Sequence, residues 1–238
     1  MVAADSVSFS VRTRTGPFPI IDSISVGLGP REIVGVLGPN GCGKTTFLRI
    51  LARLLAPTTG TVNYCDDMGA VGMVFQNAQQ NLVPWWTALE NVALPATLAR
   101  RDRDGALQNA RGALSHMGLS ELAARHPNEV SGGQQQLLSL ARWTVNRRSV
   151  LLVDEGWAML DLVQRQRAYD ILRSLADDGC AVCVVSHNVA ELAGVASRVL
   201  ILTSRPARVA QEVILSLDDS QVKRSENLWE VARRVFHT

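Results

Sequence analysis

The stretch GPNGCGKTT, residues 38 to 46, spaces two glycines, a lysine and a threonine as G-x-x-x-x-G-K-T. Loops of this composition curl their backbone N–H groups inward, and a helix opening at the lysine aims its positive end the same way. The result is a cradle for phosphate oxygens. Gly38, Pro39, Asn40, Gly41, Cys42, Gly43, Lys44, Thr45 and Thr46 are its candidate ligands. Lys44 is expected to reach the outer phosphates and the Thr45 hydroxyl to hold Mg²⁺. Lys44 and Lys223 are the only lysines in a chain otherwise rich in arginine. A compact point charge at this position suits phosphate better than a planar fork.

Four further residues could complete phosphate chemistry. The apolar run VLLVDE, residues 150 to 155, ends in two carboxylates. Asp154 is a candidate ligand for Mg²⁺, and Glu155 would orient and deprotonate an attacking water. A strand ending in a solvated acidic turn is the plainer reading, and the cradle upstream weighs against it. Gln76 ends the run GMVFQ, where an amide can ligate Mg²⁺ and sense a terminal phosphate. His187 ends AVCVVSH, where a neutral imidazole can bridge phosphate, water and carboxylate. On its own a strand-end histidine is an ordinary surface residue.

A second possible cradle lies in VSGGQQQ, residues 130 to 136. Ser131, Gly132, Gly133 and Gln134 stand at the start of a helix, which makes either an anion site or a simple cap. This segment is far along the chain from Lys44. If two copies pack head to tail, the segment of one closes over the nucleotide of the other. Each copy then carries two half-sites and completes neither alone.

The elements that must position these groups are legible as apolar runs. REIVGVLG, GAVGMVFQ, VLLVDE, CAVCVVSH and SRVLILT read as buried strands, with helical stretches between several of them. A mostly parallel sheet with helices on its faces is the economical fold. TTFLRILARLL reads as a helix with Phe47, Leu48, Ile50, Leu51 and Leu54 on its apolar side. Residues 87 to 146 read as a helical insertion, opened by the capping box of Thr87 and Glu90. The nucleotide-binding core is then 1–86 with 147–204, and 205–238 is an extension. Its tail places Leu228, Val231, Val235 and Phe236 at helical spacing, an amphipathic helix packed on the body.

Composition narrows the class. The chain has 238 residues, 47% of them hydrophobic, and a formal charge of +2. One domain with an inserted subdomain fits that length. The balanced charge argues against a nucleic-acid partner, and the mixed-sign stretch at 99–105 reads as a solvated helix end. No apolar run approaches the ~20 residues of a membrane span, and the first residues lack a signal-peptide core. A cytoplasmic location follows, with any membrane part supplied by another polypeptide. The four cysteines, Cys42, Cys65, Cys180 and Cys183, make no disulfide framework. Cys180 and Cys183 are spaced C-x-x-C, but residues three apart on a strand face opposite sides, so they are expected to be core residues.

The order and spacing of these motifs resemble the ATP-binding subunit of ABC transporters, from about residue 5 to 204. GPNGCGKTT is similar to the Walker A motif, Gln76 to the Q-loop, VSGGQ to the signature, VLLVDE to Walker B, AMLD ending at Asp161 to the D-loop, and His187 to the switch histidine. LVPWWTALENVALP and RVLILTSRPARVAQEVILSL resemble the nitrate, sulfonate and taurine importer type. The resemblance implies an α/β fold: a P-loop NTPase core, an N-terminal antiparallel β part and the helical subdomain. It also implies ATP and Mg²⁺ as cofactors, a second ATPase subunit, transmembrane permease subunits and a periplasmic or extracellular substrate-binding protein. The location implied is the cytoplasmic face of the membrane. A permease helix would dock near Gln76 and LVPWW, where Trp85 and Trp86 would either touch it or anchor the insert. Departures from the family pattern are Val130, Leu137, Gly156, Asn188 and Ala207. The aromatic that stacks on adenine is not evident, Phe9 and Phe18 being candidates. An energy-coupling importer subunit is the near alternative. Chromosome ATPases need long coiled-coil arms and translation ATPases a second cassette, and neither is present.

Overall fold

A computed structural model describes the chain apart from residues 65–70, 78–80, 101, 147, 156, 158, 217 and 237–238 and the side chain of Arg100. The expectations for Cys65, for Gly156 and for the first residues of the GAVGMVFQ strand lie outside the described residues. Nine strands and seven α-helices are found among those described.

Two sheets organise the molecule. The small one is antiparallel, in the order β2 (Gly16–Leu28), β1 (Val2–Thr13), β4 (Thr59–Tyr64). The large one runs β5 (Val71–Val74), β6 (Val150–Asp154), β7 (Ala181–Ser186), β3 (Ile33–Leu37), β8 (Arg198–Leu202), β9 (Val209–Ile214). The pairs from β5 to β8 are parallel, and β9 returns antiparallel to β8. All five expected strands are present, and the mostly parallel sheet is the one expected.

The large sheet is buried on both faces, which is why its strands read as unbroken apolar runs rather than alternating ones. Along β6, Val150 and Leu152 join one core while Leu151 and Val153 join the other. The first core lies under the small sheet and α1 (Lys44–Leu51), and includes Phe47, Leu48, Ile24 and Val36. The second lies under α2 (Ala88–Arg100), α3 (Arg103–His116), α4 (Gly132–Thr144), α5 (Leu162–Asp177), α6 (Val189–Val195) and α7 (Gln221–Phe236). Cys183 belongs to the first core and Cys180 to the second. Both are buried free thiols, and burial pushes them up to about 12 and about 11. They are core residues on opposite faces.

Two helix expectations need correction. α1 stops at Leu51, Arg53 turns to φ 55°, and Leu54 is left 60% exposed rather than on the apolar side. In α7 Leu228 is buried and Val231 and Val235 pack on the core, but Phe236, at the helix end, is 37% exposed.

Several departures from the family pattern have local explanations. Leu137 is fully buried in the second core. Asn188 caps α6 by accepting from the Ala190 N–H at 2.9 Å, a job aspartate would also do. Ala207 is buried, its N–H donates to the Ile20 carbonyl and its carbonyl accepts from the Asp22 N–H.

Candidate nucleotide site

The parallel strands deliver their carboxyl ends to one edge, where ligands of open α/β sheets bind. β3 runs into the 38–46 loop, β6 into Asp154 and Glu155, β7 into His187 and β5 toward Gln76. Register fixes the neighbours: Asp154 pairs with Val185, and Leu37 with Ser186.

The loop between β3 and α1 is held open by its glycines. Gly43 precedes the helix at φ 128°, a conformation strained for any side chain, and an added Cβ would sit 3.1 Å from the Ile20 side chain. The Lys44 ammonium is buried and donates to the carbonyls of Gly38 at 2.9 Å and Pro39 at 3.0 Å. The Thr45 hydroxyl donates to Asp154 Oδ1 at 2.9 Å, across 109 positions of sequence. Asp154 is 2% exposed, and that burial raises its pKa against the opposing hydrogen bond from Thr45. A buried carboxylate beside a hydroxyl is a hard-oxygen pair suited to Mg²⁺.

Glu155 is where the expected residues converge. Its Oε2 accepts from Gln76 Nε2 at 3.2 Å, its Oε1 lies 3.1 Å from His187 Nδ1, and the Lys44 ammonium is 3.6 Å away. The Nδ1–H tautomer of His187 donates to this carboxylate and leaves Nε2 free to accept. Glu155 itself stands at φ 39°, in the left-handed region, while its N–H donates to the Val185 carbonyl. A residue other than glycine held there costs about 1–2 kcal/mol, a strain localised at the one carboxylate that all three partners address.

A pocket of about 320 Å³ opens here, lined by Asn40, Gly41, Gly43, Lys44, Thr45, Thr46, Gln76, Glu155 and Arg205. Ser131, Gly132, Gly133 and Gln134 do not line it. Ser131 caps α4, accepting from the Gln134 N–H at 3.3 Å, while Gln134 Oε1 accepts from the Ser131 N–H at 2.9 Å. Ser131 is exposed and Gly133 buried. A Cβ on Gly133 would meet Gln164 Oε1 at 2.5 Å and the Met159 carbonyl at 2.8 Å.

Sequence reasoning missed three organising residues. Buried Asn81 accepts from the Phe75 N–H and donates to the carbonyls of Phe75 and Asn77, bracketing Gln76. Buried Asn91 accepts from the Val83 N–H at 2.7 Å and donates to the carbonyls of Val83, Trp86 and Thr87, folding the LVPWW turn. Arg205 enters the phosphate pocket from the β8–β9 connection. Its motif, RPAR, was visible as a family mark but carried no role.

The model of the family described as ABC transporter matches residues 21–158, more than half of the chain. The chain belongs to the ABC transporter family. It is 34% identical over 217 residues to the taurine import ATP-binding protein of Chromobacterium violaceum, covering 89% of this chain and 82% of that protein. An aliphatic sulfonates import ATP-binding protein of Agrobacterium fabrum is 31% identical, over 91% of this chain and 82% of its own length. A dimeric post-hydrolysis ATP-binding cassette bound to ADP and Pi superposes with TM-score 0.81 at 28% identity, covering 91% of this chain and 99% of that one. The fold and family resemblance read from the motifs are thus borne out, and this cassette is an ABC ATPase.

Proposed function

We propose that this cassette is the ATP-hydrolysing subunit of an importer for small anionic or zwitterionic solutes of the nitrate, sulfonate and taurine type. It works as a dimer that nucleotide closes. The observation that carries this reading is the convergence of Lys44, Gln76 and His187 on Glu155 at a pocket from which Ser131–Gln134 is absent. One copy has the ground for phosphate and base but lacks the second anion-binding helix start. A second copy supplies it.

In this reading Gly38–Thr46 bind the β- and γ-phosphates. Thr45, Asp154 and Gln76 would hold Mg²⁺, which when bound neutralises the phosphate oxygens. Glu155 takes a proton from water as that oxygen bonds to the γ-phosphorus. The bond from the γ-phosphorus to its bridging oxygen breaks, leaving ADP and phosphate. His187 Nε2 accepts from the attacking water and holds it in line with the γ-phosphorus, and Ser131 with its neighbouring N–H groups clamps the γ-phosphate from the partner. Positioning and electrostatics supply the catalysis. Loss of the bridging phosphate reopens the dimer.

Force leaves through an apolar groove of about 360 Å³ between the core and the helical insert, lined by Leu54, Met73, Phe75, Leu94, Leu98 and Trp143 among others. A helix of a permease subunit docks in it, which explains the exposure of Leu54 and Leu98. Trp85, 74% exposed, lies outside the groove lining and is free to meet the same subunit. No helix of the described residues is long and apolar enough to cross a membrane. In this reading the cassette sits at the cytoplasmic face through its permease, with a substrate-binding protein delivering solute outside. The relatives named for taurine and sulfonate import support the solute class.

The test is Glu155→Gln, which keeps shape and removes the base. Gel filtration with Mg·ATP is expected to show a trapped dimer; monomer alone would overturn the mechanism. Deleting the gene should abolish growth on taurine or sulfonates as sulfur source, and unchanged growth would redirect the solute.

A further inference from the structure

We propose that Arg205 is a second cationic ligand for the nucleotide polyphosphate, seated on Phe18 and tied to the phosphate loop. The inference rests on the reading of the pocket as an ATP site and adds a residue to it.

Four observations bear on this position. Arg205 is a lining residue of the pocket formed by Asn40 to Thr46, although 159 or more positions separate it from them in sequence. Its guanidinium donates to the Gly41 carbonyl. It lies 5.6 Å from the centroid of the Phe18 ring, within cation–π range. The connection that carries it is fixed rather than loose: Ala207 is hydrogen-bonded on both sides to β2, and Arg208 is paired with Asp22.

The charge then has a purpose the fold does not need. A guanidinium offers five donors, and only one is used by Gly41. In a phosphate loop the N–H groups face the anion, so a cation on the carbonyl of Gly41 holds that peptide turned outward. The same cation sits at the pocket edge with donors to spare. Lys44 covers the inner end of the pocket, tied to Gly38 and Pro39. Arg205 covers the Gly41 side. Phe18, 47% exposed and across from Val11 in the small sheet, backs the guanidinium. Phe9, the other aromatic considered for adenine, packs instead into the core below.

The experiment is titration calorimetry of the whole chain with ATP, ADP and adenosine at low and high salt. Arg205→Ala is expected to weaken ATP and ADP by about tenfold, the size of one charge-assisted contact, with adenosine unaffected and the difference shrinking in high salt. Arg205→Lys should recover part of the loss. Arg205→Gln keeps a donor for the Gly41 carbonyl without the charge, and should bind as weakly as the alanine variant. Phe18→Ala should give a smaller loss of the same pattern. Arg205 is exposed, so matching thermal melts will show that these variants fold. If Arg205→Gln binds ATP like the wild type, or if adenosine weakens in step with ATP, the proposal is overturned. Lys44→Ala serves as the control. If it loses ATP while Arg205→Ala does not, only this inference fails; if Lys44→Ala also binds normally, the pocket itself has been misassigned.

Discussion

Burial holds the Asp154 carboxyl above the ordinary aspartate range, with the Thr45 hydrogen bond and the charges of Arg49 and Lys44 opposing it only in part. A carboxyl raised on folding favours the folded state when protonated. That contribution is whole below the unfolded aspartate value and is lost as pH rises through the folded one. At neutral pH the ionised residue is therefore a cost, kept for the cation it would bind. Asp154→Asn retains an acceptor for Thr45. In melts without nucleotide or metal at pH 7.5 it should raise the midpoint by about 2 °C, and the gap should close as pH falls toward the aspartate range. Turnover should drop by roughly 10²-fold or more. Chelating Mg²⁺ should abolish turnover in the wild type and whatever turnover remains in the variant. A variant no more stable than the wild type would show that the carboxylate is not penalised.

Between α4 and α5 the two signature glycines differ in what they face. A Cβ on Gly132 would meet the Met159 side chain, its sulfur at 2.5 Å, and that flexible side chain is 74% exposed. A Cβ on Gly133 would meet the Met159 backbone carbonyl. Gly132→Ala should thus cost under about 1 kcal/mol and Gly133→Ala about 1–3 kcal/mol, measured by urea unfolding; equal costs would contradict the packing. This close approach was not legible in the sequence, because it joins segments that only the folded chain brings together. What could be read was whatever periodicity or a local motif encodes. The strands of the large sheet appear as apolar runs because both faces are covered, and Thr87 with Glu90 announced its own cap, with both of its hydrogen bonds present. Leu54 was misread because the helical pattern continues past the point where Arg53 turns left-handed. Gln76, Asp154, Glu155 and His187 were singled out by their place at strand ends, and the fold brings them to one edge. Asn81, Asn91 and Arg205 were not, since each works through backbone carbonyls that carry no sequence signal.

For the whole molecule the proposed pairing of half-sites makes a mixing experiment decisive. Ser131→Arg should bind ATP yet fail to turn it over, and Lys44→Ala should fail to bind it. In an equal mixture about half the dimers are mixed, and each mixed dimer holds one site with both Lys44 and Ser131 intact. About a quarter of wild-type activity should then return for a freely exchanging symmetric dimer, and no recovery would mean that each copy works with its own Ser131. The sheet has a further use. Because every strand from β5 to β8 turns its carboxyl end to the candidate site, the opposite rim is a silent handle. A short peptide bearing a fluorophore, spliced after exposed Asp178 where Gly179 turns at φ 101° into β7, would report on assembly from the far side of the machine without slowing it.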